Sequence, residues 1–191
     1  MTEFYELKKL TDCKWLNYFD VIFQRKGKAE RAWHMCSRKE EPIADADRPD
    51  AVVIVPIIKT ALGNRLVVTK EFRVPIWDYE YGFPAGLIDD GEDISSTVER
   101  ELKEETGLGL VKINHVSQIV YSSAGMSDES CVMVLAEVAG TISNEWLEDA
   151  EDIETILMDI EQIRKLLASK EKISAKAWGL FYHYAVMGKI E

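Results

Sequence analysis

The chain has 191 residues, 47% hydrophobic and 30% charged, the proportions expected of a soluble globular domain with a full core. A net charge of -11, from 34 acidic against 23 basic residues, argues against tracking a nucleic-acid backbone. A small phosphorylated substrate stays compatible where a metal and local arginines neutralise it, and no apolar run approaches the roughly 20 residues that span a bilayer.

The N-terminus MTEFYELKKL lacks the pattern of a signal peptide. Cys13, Cys36 and Cys131 are widely spaced, as are His34, His115 and His183. A disulfide framework or zinc site is therefore not expected, and a reducing cytoplasm is the expected compartment. Residues 14–24 (KWLNYFDVIFQ) and 31–38 (RAWHMCSR) are expected as two strands, joined by a glycine-containing turn in RKGKAE. They define an expected hairpin region over residues 1–42, ahead of the main body over 43–191. The connector KEEPIADADRPD carries Pro42 and Pro49. The hairpin holds Trp15 and Trp33, which read either as core or dimer-interface anchors or as flat platforms for a purine.

AVVIVPII (51–58) is a continuous apolar run, the pattern of a strand buried on both faces. RLVVTKEFR (65–73) is the next expected strand, followed by an extended piece around residues 79–83 and the turn Pro84-Ala85-Gly86. A helix is expected from about Ser95 to Thr106, with Asp93 as its N-cap and Gly107 as its stop. Strands are expected near 111–121 and 130–138. The acidic loop NEWLEDAED (144–152) comes next, then a short strand IETILM and two amphipathic helices. This is a mixed α/β order, with helices packed on sheet faces.

The central helix concentrates the chemistry. Ile94, Val98 and Leu102 recur every fourth residue and form an apolar stripe. At about 100° per residue, Glu101 and Glu105 stand about 40° apart and Glu104 lies about 60° from Glu101. Carboxylates clustered in this way repel one another, and a divalent cation is their natural partner.

Gly86, Glu92, Arg100, Glu101, Leu102, Glu104, Glu105, Gly107 and Leu108 match the spacing G-x5-E-x7-R-E-U-x-E-E-x-G-U, with U bulky and apolar, at every fixed position. This is the Nudix box, and the chain resembles the Nudix hydrolases. Phe72-Arg73-x-Pro75, the run from Pro84 to Glu92, and the tryptophan-bearing hairpin ending in Arg38 look like the ADP-ribose pyrophosphatase branch. The resemblance implies a Nudix-type α/β/α sandwich of mixed sheets, with the small N-terminal antiparallel hairpin sheet in addition. It also implies hydrolysis of a nucleoside diphosphate linked to another moiety, using Mg2+ or Mn2+.

Carried onto this sequence, Glu101, Glu105, Glu104 and the backbone carbonyl of Ala85 are the implied metal ligands, and Glu104, which could reach a second ion or a bound water, is a catalytic candidate as well. Gly86, Glu92, Arg100 and Gly107 read as structural; Arg100 is expected to pair with a neighbouring carboxylate. Arg38 and Arg73 end strands and suit phosphate oxygens, because a guanidinium forks onto them. Trp15 and Trp33 would hold a base, the second from a partner subunit, which makes a homodimer the expectation. The branch places a general base in the loop before the last strand. Glu151 is the first choice and Asp149 the second, against a merely solvated acidic loop.

Two departures bear on substrate. Ala124 stands where the branch usually has proline, in the segment Ser123-Ala124-Gly125-Met126, whose Met126 is a candidate substrate contact. Gly82 stands where many relatives have an acid. The leading expectation is hydrolysis of ADP-ribose to AMP and ribose 5-phosphate. The alternatives are another nucleoside diphosphate sugar or dinucleotide (ADP-glucose, GDP-mannose, NADH), and a non-catalytic nucleotide-sensing module.

Overall fold

A computed structural model describes residues 2–43 and 48–190, which group into two compact units, Met1–Asp50 with Ile119–Cys131, and Ala51–Gln118 with Val132–Glu191. The first unit holds a three-stranded antiparallel sheet of β1 (Thr2–Lys9), β2 (Asn17–Arg25) and β3 (Arg31–Ser37), in that order. β2 and β3 are the expected hairpin, and β1 is additional to it. The sequence of β1, TEFYELKK, is half charged, so pairing with β2 makes it a strand where its own pattern gives no signal. β2 starts later than the expected residue 14. The Asn17 side chain explains this, because it accepts from the Cys13 N–H (2.7 Å) and donates to the Cys13 carbonyl (2.8 Å), folding that stretch into a loop.

The second unit opens with β4 (Ala51–Thr60), whose residues Val52 to Pro56 are all buried, as its continuous apolar run demands. β5 (Gly63–Arg73) follows, and Pro75 shapes a single 3-10 turn at Val74–Ile76. Then come β6 (Asp78–Gly82), β7 (Ala85–Leu87), α1 (Ile94–Thr106) and β8 (Gly109–Val116). The run expected as one strand near 111–121 is two, β8 and β9 (Val120–Tyr121). Ser117 lies between them and bonds Met133 through both its N–H and its hydroxyl, at 2.9 Å each. β10 (Ser130–Ala139), β11 (Ile153–Met158), α2 (Ile160–Leu167), β12 (Lys172–Ile173) and α3 (Ala175–Met187) complete the chain.

The second unit's sheet runs β12-β6-β5-β4-β10-β8, with β11 also pairing β5 and β7 pairing β4. β12 and β6 pair in parallel, whereas β10 with β8, β11 with β5, β4 with β5, β4 with β7 and β5 with β6 pair antiparallel, so the sheet is mixed. α1 packs on β4, β7, β8 and β11, while α2 packs on β11 and α3, and α3 on β6. The fold is therefore mixed α/β, with a small antiparallel sheet in one unit and a larger mixed sheet in the other. Among the described residues, no helix is long and apolar enough to cross a membrane.

The first unit also contains the 119–131 segment. Met126 accepts from the Cys36 N–H at 2.9 Å, and the Trp33 indole N–H donates to the Gly125 carbonyl at 3.3 Å. These partners are 90 and 92 residues apart in the chain, a separation that local patterning does not reach.

Candidate active site

α1 is fixed at both ends by its own residues. Asp93 accepts from the Ser96 N–H (2.8 Å) and the Ser96 hydroxyl accepts from the Asp93 N–H (3.0 Å), a reciprocal capping box. At the other end Gly107 has φ 73°, and a Cβ there would meet the Ser143 backbone nitrogen at 2.6 Å, so conformation and space both require glycine. Between these ends Val98 and Leu102 are fully buried. Burying that stripe carries the adjoining edge inward, leaving Glu101 and Glu105 only 7% and 5% exposed. Glu104, on the far side of Glu101, is partly exposed.

Arg100 organises the acids around it. Its Nε and Nη2 fork onto the two oxygens of Glu92, at 2.9 Å each, and Nη2 also donates to the Leu87 carbonyl at 2.9 Å. Its Nη1 donates to Glu101 (2.7 Å) and Glu104 (3.1 Å). Glu92 is further bonded by the Thr97 hydroxyl at 3.0 Å. Arginine bonding first, then the Thr97 hydroxyl and the Asp89 N–H, lower the Glu92 pKa to about 2. A carboxyl whose folded pKa is depressed stabilises the fold above its unfolded value, and that contribution is lost as pH falls through the folded value. A Glu92→Gln protein should therefore melt below the wild type at pH 7. The gap should close as pH falls from about 4.5 towards about 2. A gap of constant size across thermal melts in that window would contradict the assignment.

The Pro84-Ala85-Gly86 turn lies against this acidic edge. The Pro84 carbonyl accepts from the Ile54 N–H (2.8 Å), and Phe83 packs edge-on against Phe181 of α3, with centroids 5.0 Å apart. The Ala85 N–H donates to Glu105 at 3.1 Å. Gly86 does not have a positive φ, so its backbone conformation does not call for glycine. Room does, because a Cβ on Gly86 would lie 1.7 Å from Glu101 Oε1. Gly86→Ala is expected to cost on the order of 1–3 kcal/mol through forced displacement of a buried, arginine-bonded side chain. A melt indistinguishable from wild type would show that Glu101 yields freely.

Glu105 carries the most perturbed carboxyl of this edge. Burial pushes its pKa well up, and the negative charges of Glu101, Glu71 and Glu151 add to the push, against the single Ala85 N–H. Burial also raises Glu101, which Arg100 partly offsets. Among the described residues, no Lys or Arg pairs with Glu105. Buried like charges of this kind need a cation, and hard carboxylate oxygens with a nearby backbone turn fit Mg2+ or Mn2+. As they stand, no three His, Cys, Asp or Glu side chains among the described residues are disposed to hold an ion. The reason is visible in the bonds: Arg100 holds Glu101 and Glu104 to itself, and one ligand implied by the resemblance is a backbone carbonyl rather than a carboxylate.

Glu151 lies at the end of the acidic loop, is partly buried, and accepts from the Glu148 N–H at 3.0 Å. Its charge adds to the upward push on Glu71, Glu101 and Glu105, and Ile153, two residues further on, pairs with Glu71 of β5. The next residue anchors the loop. Asp152 accepts from the Tyr79 hydroxyl (2.6 Å) and its carbonyl accepts from the Phe72 N–H (3.0 Å). Asp149 is exposed. Arg73 lines a small cavity of about 50 Å³ together with Ala85, Glu71, Glu80 and Lys176. Sequence reasoning passed over Glu71, although its position two residues before Arg73 on one strand puts both on the same face.

The other candidates belong to the first unit. Trp33 lines a cavity of about 290 Å³ with Met35, Ile43, Tyr121, Ala124 and Asp128. Trp15 does not line it; that indole is 70% exposed, with the Lys14 ammonium 4.2 Å from its ring centroid. Arg38 lines a neighbouring cavity of about 110 Å³ and pairs with Glu129 at 3.6 Å. Met126 is exposed and engages the unit through its carbonyl. Tyr121 and Asp128 had no signal in the sequence, since neither belongs to a periodic stripe or to the box.

Comparison with known proteins gives a family match and homologues. The NUDIX domain model matches residues 47–178. The chain is similar to the ADP-ribose pyrophosphatase of Saccharomyces cerevisiae, 31% identical over 163 residues that cover 82% of this chain and 69% of that protein. It is also similar to the ADP-ribose pyrophosphatase of Bacillus subtilis, 30% identical and covering 67% and 68% of the two chains. The mouse ADP-sugar pyrophosphatase is 28% identical over 69% of this chain and 59% of its own. A crystal structure of an ADP compounds hydrolase shares the fold, with a TM-score of 0.71, 20% identity, and coverage of 98% and 95%.

Proposed function

Because the chain belongs to the Nudix family, on its ADP-ribose pyrophosphatase branch, we propose that it hydrolyses ADP-ribose to AMP and ribose 5-phosphate with the help of a divalent cation. The observation that carries this reading is the pair of buried carboxylates, Glu101 and Glu105, set against the Ala85-Gly86 turn with no basic partner for Glu105 among the described residues. Glu101, Glu105, Glu104 and the Ala85 carbonyl would hold the ion. When bound, it neutralises pyrophosphate oxygens and lowers the pKa of a coordinated water.

The chain's own groups do the rest. Glu151 takes the proton of the attacking water as general base, the role its closeness to the acidic edge supports over the exposed Asp149. Arg73 directs donors at the phosphate oxygens from the cavity beside Ala85. Arg100 and Glu92 hold the helix and the preceding loop together. Trp33 is the base platform, supported by its cavity, and Trp15, Arg38 and Met126 are further contacts of the first unit. A homodimer with cytoplasmic residence belongs to the same proposal, and light scattering tests the dimer.

The activity is tested by incubating the protein with Mg2+ and ADP-ribose, ADP-glucose, GDP-mannose or NADH and resolving the products. Release of AMP and ribose 5-phosphate at the highest kcat/KM is the expected result. Preference for a guanine or hexose substrate overturns the ADP-ribose reading. Binding without turnover of any member points to a sensor.

A further inference from the structure

β5 presents Thr69, Glu71 and Arg73 on one face, since alternate residues of a strand share a side. β6 lies beside it with Gly82 opposite Thr69 and Glu80 opposite Glu71. All five line the cavity that also contains Ala85. Gly82 contributes no side chain to that wall, and a Cβ there would make only ordinary contacts, with Ser174 Cβ at 3.7 Å and Thr69 Oγ1 at 3.8 Å. Into this space the Glu71 carboxylate bonds the Arg73 guanidinium, Oε2 to Nη2 at 2.7 Å, while Glu80 stands 3.9 Å from the arginine's Nε.

The pair is asymmetric in exposure. The Glu71 side chain is 20% exposed and that of Arg73 46%. Glu71 therefore sits deeper, on a strand whose ladder fixes its position, and Arg73 reaches outward from it. An arginine has many rotamers and five donors, so a carboxylate gripping one edge removes conformational freedom and leaves other donors for an anion. Glu71 also lies among acids: Glu151 and Glu80 act on it unfavourably and Arg73 favourably, and its own charge adds to the push on Glu105. A carboxylate at this place is poorly suited to bind a polyanionic substrate directly. It is suited to orient the cation that does.

We propose that Glu71 is a positioning residue, which holds the Arg73 guanidinium in the cavity beside Ala85 so that its outer donors meet the phosphate oxygens of the substrate. This rests on the reading of Arg73 as a phosphate contact. Without Glu71 the arginine still carries its charge but samples other directions, so substrate binding weakens while the chemical step, once substrate is seated, changes little.

A double-mutant cycle tests the inference with ADP-ribose as substrate. Glu71→Ala should raise KM about tenfold and change kcat less than about threefold, the pattern of lost binding common to ground and transition states. Arg73→Ala should raise KM at least as far, and the Glu71→Ala/Arg73→Ala protein should be no worse than Arg73→Ala alone. Glu71→Gln, which keeps an oxygen for Nη2 and the side-chain shape, should recover most of the KM, and it replaces Glu71→Ala as the probe if the alanine protein melts early. Effects that multiply in the double variant would overturn the role of Glu71 while leaving Arg73 as a phosphate contact. A fall in kcat at unchanged KM for Glu71→Ala would overturn it as well. If Arg73→Ala leaves KM unaltered, the reading of Arg73 itself is lost, and the role of Glu71 with it.

Discussion

Glu105→Gln is expected to lower kcat/KM by more than about a hundredfold, because loss of even an outer partner of a metal ligand typically costs 10–100-fold. The amide retains the size of the side chain and can accept the Ala85 N–H bond, now 3.1 Å long. It cannot supply the charge. The same substitution should stabilise the protein in a chelator at pH 8, because it removes a buried negative charge that Glu101, Glu71 and Glu151 oppose. The sign follows from the raised carboxyl: its stabilising contribution is complete below the unfolded value and is lost as pH rises through the folded one. Saturating Mg2+ should reverse the order of the two melting temperatures. An ion at a hundred times its Kd adds about 2.7 kcal/mol to a protein that binds it and nothing to one that does not. Near-normal turnover in the glutamine protein, or melts that never cross, would contradict the metal assignment.

Glu151→Gln should cut kcat by about 10²–10⁴-fold, the usual contribution of a positioned base. Unlike the previous change it should leave the Mg2+-induced rise in melting temperature in place. Asp149→Asn is the comparison. That residue is exposed, whereas Glu151 precedes Asp152, which is tied down by Tyr79 and Phe72. If Asp149→Asn shows the large loss and Glu151→Gln does not, the base is Asp149 and the anchored residue only shapes the loop.

Much of α1 was legible in the sequence because its determinants are local. The Ile94–Val98–Leu102 stripe, the Asp93 cap and the Gly107 stop all act within one or two helical turns. The general α/β order was legible for the same reason. β1 was not, because a half-charged strand exists only through its partner. Nor was the union of the 119–131 segment with the hairpin, which depends on bonds such as Trp33 to Gly125 across 92 residues. Trp15 and Trp33 are alike in sequence, yet Trp33 lines the cavity of about 290 Å³ and Trp15 does not. Glu71 shows a subtler limit. Its spacing from Arg73 was readable, but its neighbourhood with Glu151 comes from the pairing of β11 with β5, and its charge on Glu105 from the docking of α1, neither of which a single strand's pattern encodes.

The 1.7 Å approach at Gly86 has a genetic consequence. Glycine is required there by the reach of one glutamate, so the constraint belongs to the pair. A lineage carrying Gly86→Ala would be rescued most directly by shortening its opponent, Glu101→Asp, which withdraws the carboxylate by one methylene. Suppressor selection on the alanine protein should therefore recover changes at position 101 ahead of changes in the turn. Each of the two substitutions would lower the melting temperature alone, and the pair by less than the sum of the two.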